Sequence, residues 1–208
     1  KYAVALYPFY LLAFPIWTGT KDVVLEAVRA HGTALKFADS TMQADKEVVV
    51  TAIENNALAF KYADETFRAD KQIALMAVPR FGMVIRHASD ELKSDRELVL
   101  LAVKEDGMAL GYVDEKFRSD EQIVLEALKS KGDTFYYIDE KLKQRRDLAL
   151  LAVQNGRYAL RSLPEQFQND VEIVLIALQR NSWLYNDLSD EMKQNDAVEK
   201  LMKEKEAL

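Results

Sequence analysis

A period of 25 residues runs through this chain. The segment DRELVLLAVKEDGMALGYVDEKFRS, residues 95–119, has near-copies on both sides at this spacing, with no insertion or deletion. Self-similarity at a fixed period of this length is typical of proteins whose repeats stack on one another. The full copies, which we call repeats 1 to 7, begin at Thr20, Asp45, Asp70, Asp95, Asp120, Arg145 and Asp170, and a partial copy begins at Asn195.

The first half of each repeat has the pattern of a helix. When the positions are numbered from the first residue of a repeat, positions four, five, eight and nine are apolar, as at Leu98, Val99, Ala102 and Val103. This spacing places them in one stripe. Position eight is alanine in all seven full repeats, which predicts a close helix–helix approach. A larger side chain there should cost roughly 1–3 kcal/mol through overpacking.

The ends of this helix are also marked in the sequence. Position one is mostly Asp, Asn or Thr, which are good N-cap residues, and an acid at position three suits the positive end of the helix dipole. The acids therefore need no metal or acid–base role. Position thirteen is often glycine, as at Gly32, Gly82, Gly107 and Gly132, and we interpret it as a C-cap signal that ends a helix of about ten residues.

The second half predicts another helical stretch, short or broken. Position eighteen is usually aromatic, position twenty is mostly Asp or Ser, and position twenty-three is always bulky. No segment alternates as a strand would. We therefore predict an all-α fold, an α-solenoid of seven full 25-residue helical repeats with degenerate terminal caps. The expected domains are an apolar N-terminal cap or half-repeat at 1–19, the array at 20–194, and a capping or connecting helix at 195–208.

The apolar run from Tyr2 to Trp17 has a second interpretation, as a signal peptide or membrane span. Pro8 and Pro15 interrupt it, and it is shorter than the ~20 apolar residues that a span needs. We therefore expect a cap and no membrane partner. The chain starts at Lys1 and not at methionine, so a fragment of a longer protein is one interpretation that the sequence leaves open.

Composition narrows the classes of function. The net charge of −6 does not favour a general nucleic-acid binder, and the absence of cysteine excludes disulfides and thiolate metal sites. We find no HExxH motif, phosphate-binding glycine loop or GxSxG motif. His31 and His87 occupy different repeat positions, and His87 stands where other repeats carry tyrosine. We expect no enzyme activity, no cofactor and no metal site within this chain.

The pattern D-x-E-[VIL]-V-L-x-A-V-x-x-x-G-x-A-L-x-Y-A-D-E-x-F resembles a repeat family listed among the domains of unknown function and numbered 4116. The resemblance covers Thr20 to about Lys193, and the family's unit of about fifty residues corresponds to two repeats. It is weakest in the last two repeats, at Arg157, Pro164 and Trp183. The family is reported in bacteria that live inside eukaryotic cells, often in large proteins suspected to be secreted effectors. It implies no activity, but it raises the expectation of a helical array in the bacterial cytoplasm or in a host cytoplasm.

Two sets of positions are candidates for contact with a partner. Position fourteen switches between polar and apolar residues, so it should be at least partly exposed, and position seventeen is often basic. The candidate contact residues are Leu58, Met83, Met108, Tyr158 and Trp183, with Lys61, Arg86 and Arg161 beside them. Exposed methionine and aromatic side chains are favoured at contact surfaces. Packing between repeats that varies with the neighbour explains the same residues equally well.

A basic stripe at position twenty-four is the remaining candidate: Gln43, Arg68, Lys93, Arg118, Lys143, Gln168 and Lys193. It could follow a nucleic-acid backbone or an acidic partner, but a solvated face balanced by nearby acids is the simpler explanation. Our leading hypothesis is a monomeric, non-enzymatic scaffold that binds a protein or peptide along one face. The alternative is an accessory or substrate-positioning module of a larger enzyme whose catalytic domain lies outside this chain.

Overall fold

The apolar stripe and the caps of each repeat produce the same three helical elements. In the computed structural model, which describes residues 20–207, each full repeat contains a long helix, a middle 3-10 helix and a short helix, and no strand occurs in this range. This confirms the predicted all-α repeat fold. The predicted N-terminal cap lies outside the described residues.

The bounds of these elements follow the period. The long helices are Lys21–Ala30, Lys46–Asn55, Lys71–Ala77, Arg96–Glu105, Glu121–Ser130, Arg146–Asn155 and Val171–Arg180, and the partial repeat contributes Asp196–Glu206. The middle 3-10 helices are Gly32–Phe37, Ala57–Tyr62, Gly82–His87, Gly107–Tyr112, Gly132–Tyr137, Ala159–Ser162 and Ser182–Asp187. The short helices are Ser40–Gln43, Glu65–Arg68, Asp90–Lys93, Glu115–Arg118, Glu140–Lys143, Glu165–Gln168 and Asp190–Lys193, of which Glu115–Arg118 is a 3-10 helix.

The described part of the chain forms two compact units, which divide between Glu105 and Asp106. The boundary falls inside repeat 4, between its long helix and its middle 3-10 helix. Long helices of neighbouring repeats contact each other from repeat 1 to repeat 3 and from repeat 5 to the partial repeat, and middle 3-10 helices do so from repeat 1 to repeat 3 and from repeat 4 to repeat 6. This stacking of like elements within each unit is the α-solenoid arrangement that the period predicts.

The predicted core positions are buried. In repeats 2 to 7, the side chains at positions four, five, eight and nine are all buried, and the position-eight alanines are at most 2% exposed. Position one acts as the predicted N-cap in most repeats; Asp45, for example, accepts hydrogen bonds from the N–H groups of Glu47 and Val48. Thr20 and Arg145 make no such bond. The long helix of repeat 3 stops at Ala77, two residues before Pro79, which has no N–H to continue it.

The interpretation of the position-thirteen glycines as C-caps is wrong. Among the described residues, no glycine has a positive φ, so none serves as a left-handed C-cap. Each position-thirteen glycine instead begins a middle 3-10 helix and lies against the position-eight carbonyl of the next repeat. A Cβ on Gly32 would lie 2.2 Å from the oxygen of Ala52, and one on Gly82 would lie 2.3 Å from that of Ala102. Glycine is required by the closeness of two backbones.

Candidate functional site

The candidate contact residues lie on the middle 3-10 helices, except Tyr158, which is the N-cap residue of Ala159–Ser162. Such a helix has three residues per turn, so positions fourteen and seventeen lie on one face. In the first unit, Leu58 is exposed and Met83 is half-buried. The Lys61 ammonium lies 4.6 Å from the ring centroid of Tyr62, and Arg86 is exposed. The predicted partial exposure of position fourteen is confirmed for Leu58 and Met83.

In the second unit, repeats 6 and 7 expose two large aromatic rings at position fourteen. Trp183 is 75% exposed and Tyr158 is 48% exposed. The guanidinium carbon of Arg161 lies 5.4 Å from the Tyr158 ring centroid, and that of Arg157 lies 5.8 Å away, both within cation–π distance. We call Tyr158, Arg161 and Trp183 the aromatic surface.

The backbone beneath the aromatic surface is held by two polar side chains. Asp133 of repeat 5 accepts hydrogen bonds from the N–H groups of Arg157 and Tyr158, at 3.2 and 2.7 Å. Asn181 is buried; its side chain donates to the carbonyl of Arg157 and accepts from the N–H of Trp183. The main chain beside both rings is therefore fixed, while the rings themselves face solvent.

Two candidate residues have packing or charge contacts of their own. The hydroxyl of Thr134 donates to the sulfur of Met108 at 3.9 Å, and Met108 is half-buried. Arg161 forms an ion pair with Asp187 of repeat 7, with Nε and Oδ2 2.7 Å apart, and this pairing raises the pKa of Arg161. Met108 therefore fits the packing explanation better than the contact explanation.

The basic stripe at position twenty-four is bound largely to the protein itself. Arg68 donates to the carbonyls of Ala63 and His87, and Gln43 and Gln168 also donate to main-chain carbonyls. Lys93, Arg118 and Lys143 each pair with an acid three residues earlier, and Lys193 donates to a carbonyl. These contacts agree with the balanced-face explanation.

A charge ladder at positions one to three was missed by the sequence reasoning. Lys21 at position two of repeat 1 bonds Asp45 and Glu47 of repeat 2 at 2.8 and 2.9 Å. These bonds raise the pKa of Lys21 and lower that of Asp45. The same pattern joins Lys71 to Asp95 and Glu97, and Arg146 to Asp170 and Glu172. The detectable signal was a base at position two beside the acids at positions one and three.

The titratable groups of residues 20–207 were searched for a cluster of metal ligands. No group of three or more His, Asp or Glu side chains in this range is placed to hold a metal ion. The ring of His87 is half-buried, and this burial lowers its pKa, with the neighbouring charge of Arg86 adding to the effect. Arg86 donates to Nε2 of His87 at 3.0 Å. His87 thus takes the place of a tyrosine, as expected.

Comparison with known families gives one result. The family model for the domain of unknown function DUF4116 matches residues 20–68, 70–118, 95–143 and 145–193. These matches cover most of the chain. The chain belongs to the DUF4116 family. Each match spans two repeats, and the overlap of two matches shows that a DUF4116 unit can begin at repeat 3 or repeat 4. No curated protein and no solved structure matches the chain. Among residues 20–207, no helix is both long and apolar enough to cross a membrane.

Proposed function

We propose that this chain is a repeat scaffold that binds a protein or peptide partner, and that the aromatic surface of repeats 6 and 7 makes the central contact. The observation that carries the proposal is the exposure of Trp183 and Tyr158 at the same position of neighbouring repeats. Residues that dominate binding energy are enriched in Trp, Tyr and Arg, and all three types meet here.

The fixed backbone under the rings strengthens this proposal. Single exposed apolar residues are normal on protein surfaces and need no function. Here, however, buried Asn181 and the carboxylate of Asp133 hold the main chain beside both rings. A preorganised aromatic pair loses little conformational entropy on binding, which favours affinity. Leu58, Lys61, Met83 and Arg86 are a separate set of candidate contact residues in the first unit.

A host-directed role is part of the same proposal. The DUF4116 resemblance directs the search for a partner to eukaryotic cells. The alternative, an accessory module of a larger enzyme, stays a prediction from the sequence. The two hypotheses differ in what they expect of the isolated chain, because only the scaffold should capture a separate protein on its own.

The test is affinity capture from a eukaryotic cell lysate, followed by mass spectrometry. The parent chain is compared with Tyr158→Ala/Trp183→Ala and with a control, Phe81→Ala, which removes an exposed aromatic ring from the first unit. We expect a partner that the parent and the control retain and the double variant loses, with all three melting alike by circular dichroism. Equal capture by all three would overturn the assignment of the surface, and no capture by any would favour the accessory module.

A further inference from the structure

The middle segments of the first three repeats carry positive charge and no acid. Positions twelve to nineteen of repeats 1 to 3, residues 31–38, 56–63 and 81–88, contain no Asp or Glu, although the whole chain has a net charge of −6. The acids that follow two of these segments, Asp39 and Asp64, accept hydrogen bonds from N–H groups of their own short helices. Each segment has one Lys or Arg, at position seventeen, and we call these side chains the cation row: Lys36, Lys61 and Arg86.

Stacking of the repeats brings the cation row together. The middle 3-10 helices of repeats 1, 2 and 3 contact one another in order within the first unit. Packed helices lie roughly 8–10 Å apart, so cations at the same position of neighbouring repeats should have about that spacing. Burial lowers the pKa of His87, and the charges of Arg86 and Lys61 lower this pKa further. Cations of repeats 2 and 3 therefore act on one surface.

The cations of the row keep their charge at the surface. Lys36 and Arg86 are exposed, and Lys61 is half-buried. The ammonium of Lys36 lies 4.4 Å from the ring centroid of Phe37, and that of Lys61 lies 4.6 Å from that of Tyr62. A cation–π contact orients a cation without supplying an opposite charge. In the described part of the chain, Lys61 forms no ion pair.

An apolar edge lies beside the cation row. Position fourteen comes one 3-10 turn before position seventeen, on the same face of each middle helix. It holds Thr33, Leu58 and Met83 in the first unit, of which Leu58 is exposed and the other two are half-buried. The surface therefore offers cations to acidic groups and, next to them, apolar contact to uncharged side chains.

The same features favour a peptide over a nucleic acid. Proteins that bind single-stranded nucleic acid stack its bases on accessible aromatic rings. The rings of Phe37 and Tyr62 are half-buried, and each has the cation of its own repeat beside it. Exposed leucine and methionine suit apolar side chains of a protein segment instead.

The spacing of the row selects a peptide conformation. A polyproline II helix has three residues per turn and rises about 3.1 Å per residue, so every third side chain points the same way at intervals of about 9 Å. This interval matches the spacing of packed helices. A peptide in this conformation can therefore present one carboxylate to each of three repeats.

We infer that the cation row binds an acidic peptide segment in the polyproline II conformation, with Asp or Glu at every third position. Its carboxylates pair with Lys36, Lys61 and Arg86, and the residues between them contact Leu58 and Met83. This site lies in the first unit, so it does not depend on whether the aromatic surface of the second unit contacts a partner.

The experiment measures the binding of designed peptides to the purified full chain by fluorescence anisotropy. The probe is a fluorescein-labelled peptide of repeated Glu-Pro-Leu triplets, in which proline favours polyproline II. The comparison peptide has the same composition with its glutamates consecutive. The test variant removes the row: Lys36→Gln/Lys61→Gln/Arg86→Gln.

The matched control removes three exposed cations from the long helices of the same unit and leaves the row intact: Arg29→Gln/Lys46→Gln/Lys104→Gln. Both triple variants change the net charge equally. We expect the test variant to bind the triplet peptide about tenfold or more weakly than the parent, and the control to stay within about twofold. The parent should bind the triplet peptide more tightly than the comparison peptide.

Methyl signals of labelled methionine locate the bound peptide independently. The Met83 signal should shift at saturation, while the signal of Met192, which is buried in the second unit, should stay in place. Tyr158→Ala/Trp183→Ala should bind the triplet peptide like the parent. Loss of binding in that variant alone would place the peptide on the aromatic surface and contradict the cation row.

Four other results would overturn the inference. The first is equal affinity of the two triple variants, and the second is equal affinity of the parent for the two peptides, which would show attraction by charge alone. The third is an oligothymidylate that binds the parent more tightly than the triplet peptide, which would indicate a nucleic-acid surface. The fourth is no binding of the triplet peptide at millimolar concentration.

Discussion

Gly132 of repeat 5 lies against the main-chain carbonyl of Ala152 in repeat 6, so closely that a Cβ on Gly132 would lie 1.8 Å from that oxygen. Gly107 and Ala127 have the same relationship, at 2.2 Å. The small residues at position thirteen of one repeat and at position eight of the next therefore have the same cause. In these two pairs both positions hold small residues because two backbones touch there.

Gly132→Ala should destabilise the second unit by about 2 kcal/mol, since the methyl group forces the two repeats apart. The measurement is the free energy of unfolding from urea denaturation. The control is Ser182→Ala at position thirteen of repeat 7, where a Cβ is already accommodated. Equal stability of Gly132→Ala and the parent would show that the repeats can separate without cost.

The sequence predicted the helices correctly, but it gave the wrong reason for the glycines at position thirteen. The apolar stripe around Ala102 and the cap at Asp45 act locally, so spacing alone locates them. The glycine of position thirteen looked like a C-cap because it follows the end of a helix. Its true constraint is the carbonyl of the next repeat, and only the stacking of repeats brings that atom to it.

The charge ladder at positions one to three predicts the outcome of exchanging two charges. In repeats 5 and 6 the signs are reversed, because Arg145 at position one binds Glu121 at position two of the preceding repeat. Glu121→Lys/Arg145→Asp should restore the arrangement of Lys21 and Asp45. The new aspartate also gains the N-cap bond that Arg145 lacks. We expect the free energy of unfolding of the double variant to be about 1 kcal/mol higher than that of the parent.

The single variants test the same pair. Glu121→Lys alone places two cations together and should lower the melting temperature. Because the pair is exposed, this effect should be small, below about 1 kcal/mol, and weaker in high salt. A full double-mutant cycle by thermal melting separates the pairing from the new cap. A double variant that is less stable than both single variants would contradict the ladder.

Acid should destabilise the protein through the capping aspartates. Hydrogen bonds from Lys21, Lys71 and Arg146 hold the pKa values of Asp45, Asp95 and Asp170 below their ordinary value of 3.8. A carboxyl whose pKa is lower in the folded state contributes stability above its unfolded pKa and loses it as pH falls through the folded pKa. The urea midpoint should therefore drop as pH falls below about 4.

The control for this titration is Asp45→Asn/Asp95→Asn/Asp170→Asn, which keeps a capping oxygen but cannot titrate. It should be less stable than the parent at neutral pH and should lose less stability on acidification. Parallel acid profiles for the two proteins would show that other carboxylates are responsible.

Arg68 and Arg118 occupy the same repeat position, but replacing them with methionine should affect stability differently. Arg68→Met removes the donor of the Ala63 and His87 carbonyls and should cost about 1–2 kcal/mol. Arg118→Met removes an unpartnered Nε and one exposed ion pair, so it should change stability by less than about 0.5 kcal/mol or stabilise the protein. Denaturant unfolding of both variants measures the difference. Equal losses would show that Arg118 has an acceptor in solution.

The candidate contact residues could be predicted only in part. Period and polarity switching found Tyr158 and Trp183, because an exposed position tolerates both Asp133 and Trp183. They could not find the support from Asn181, whose two hydrogen bonds join neighbouring repeats.

The most direct test of the proposed scaffold is the affinity of a captured and purified partner for the aromatic surface. Isothermal titration calorimetry would compare the parent, Trp183→Ala, Tyr158→Ala and the control Phe81→Ala. We predict that Trp183→Ala and Tyr158→Ala each raise Kd by about tenfold or more, and that Phe81→Ala leaves it unchanged. A partner whose Kd is the same for the parent and for Trp183→Ala and Tyr158→Ala would contradict the central claim.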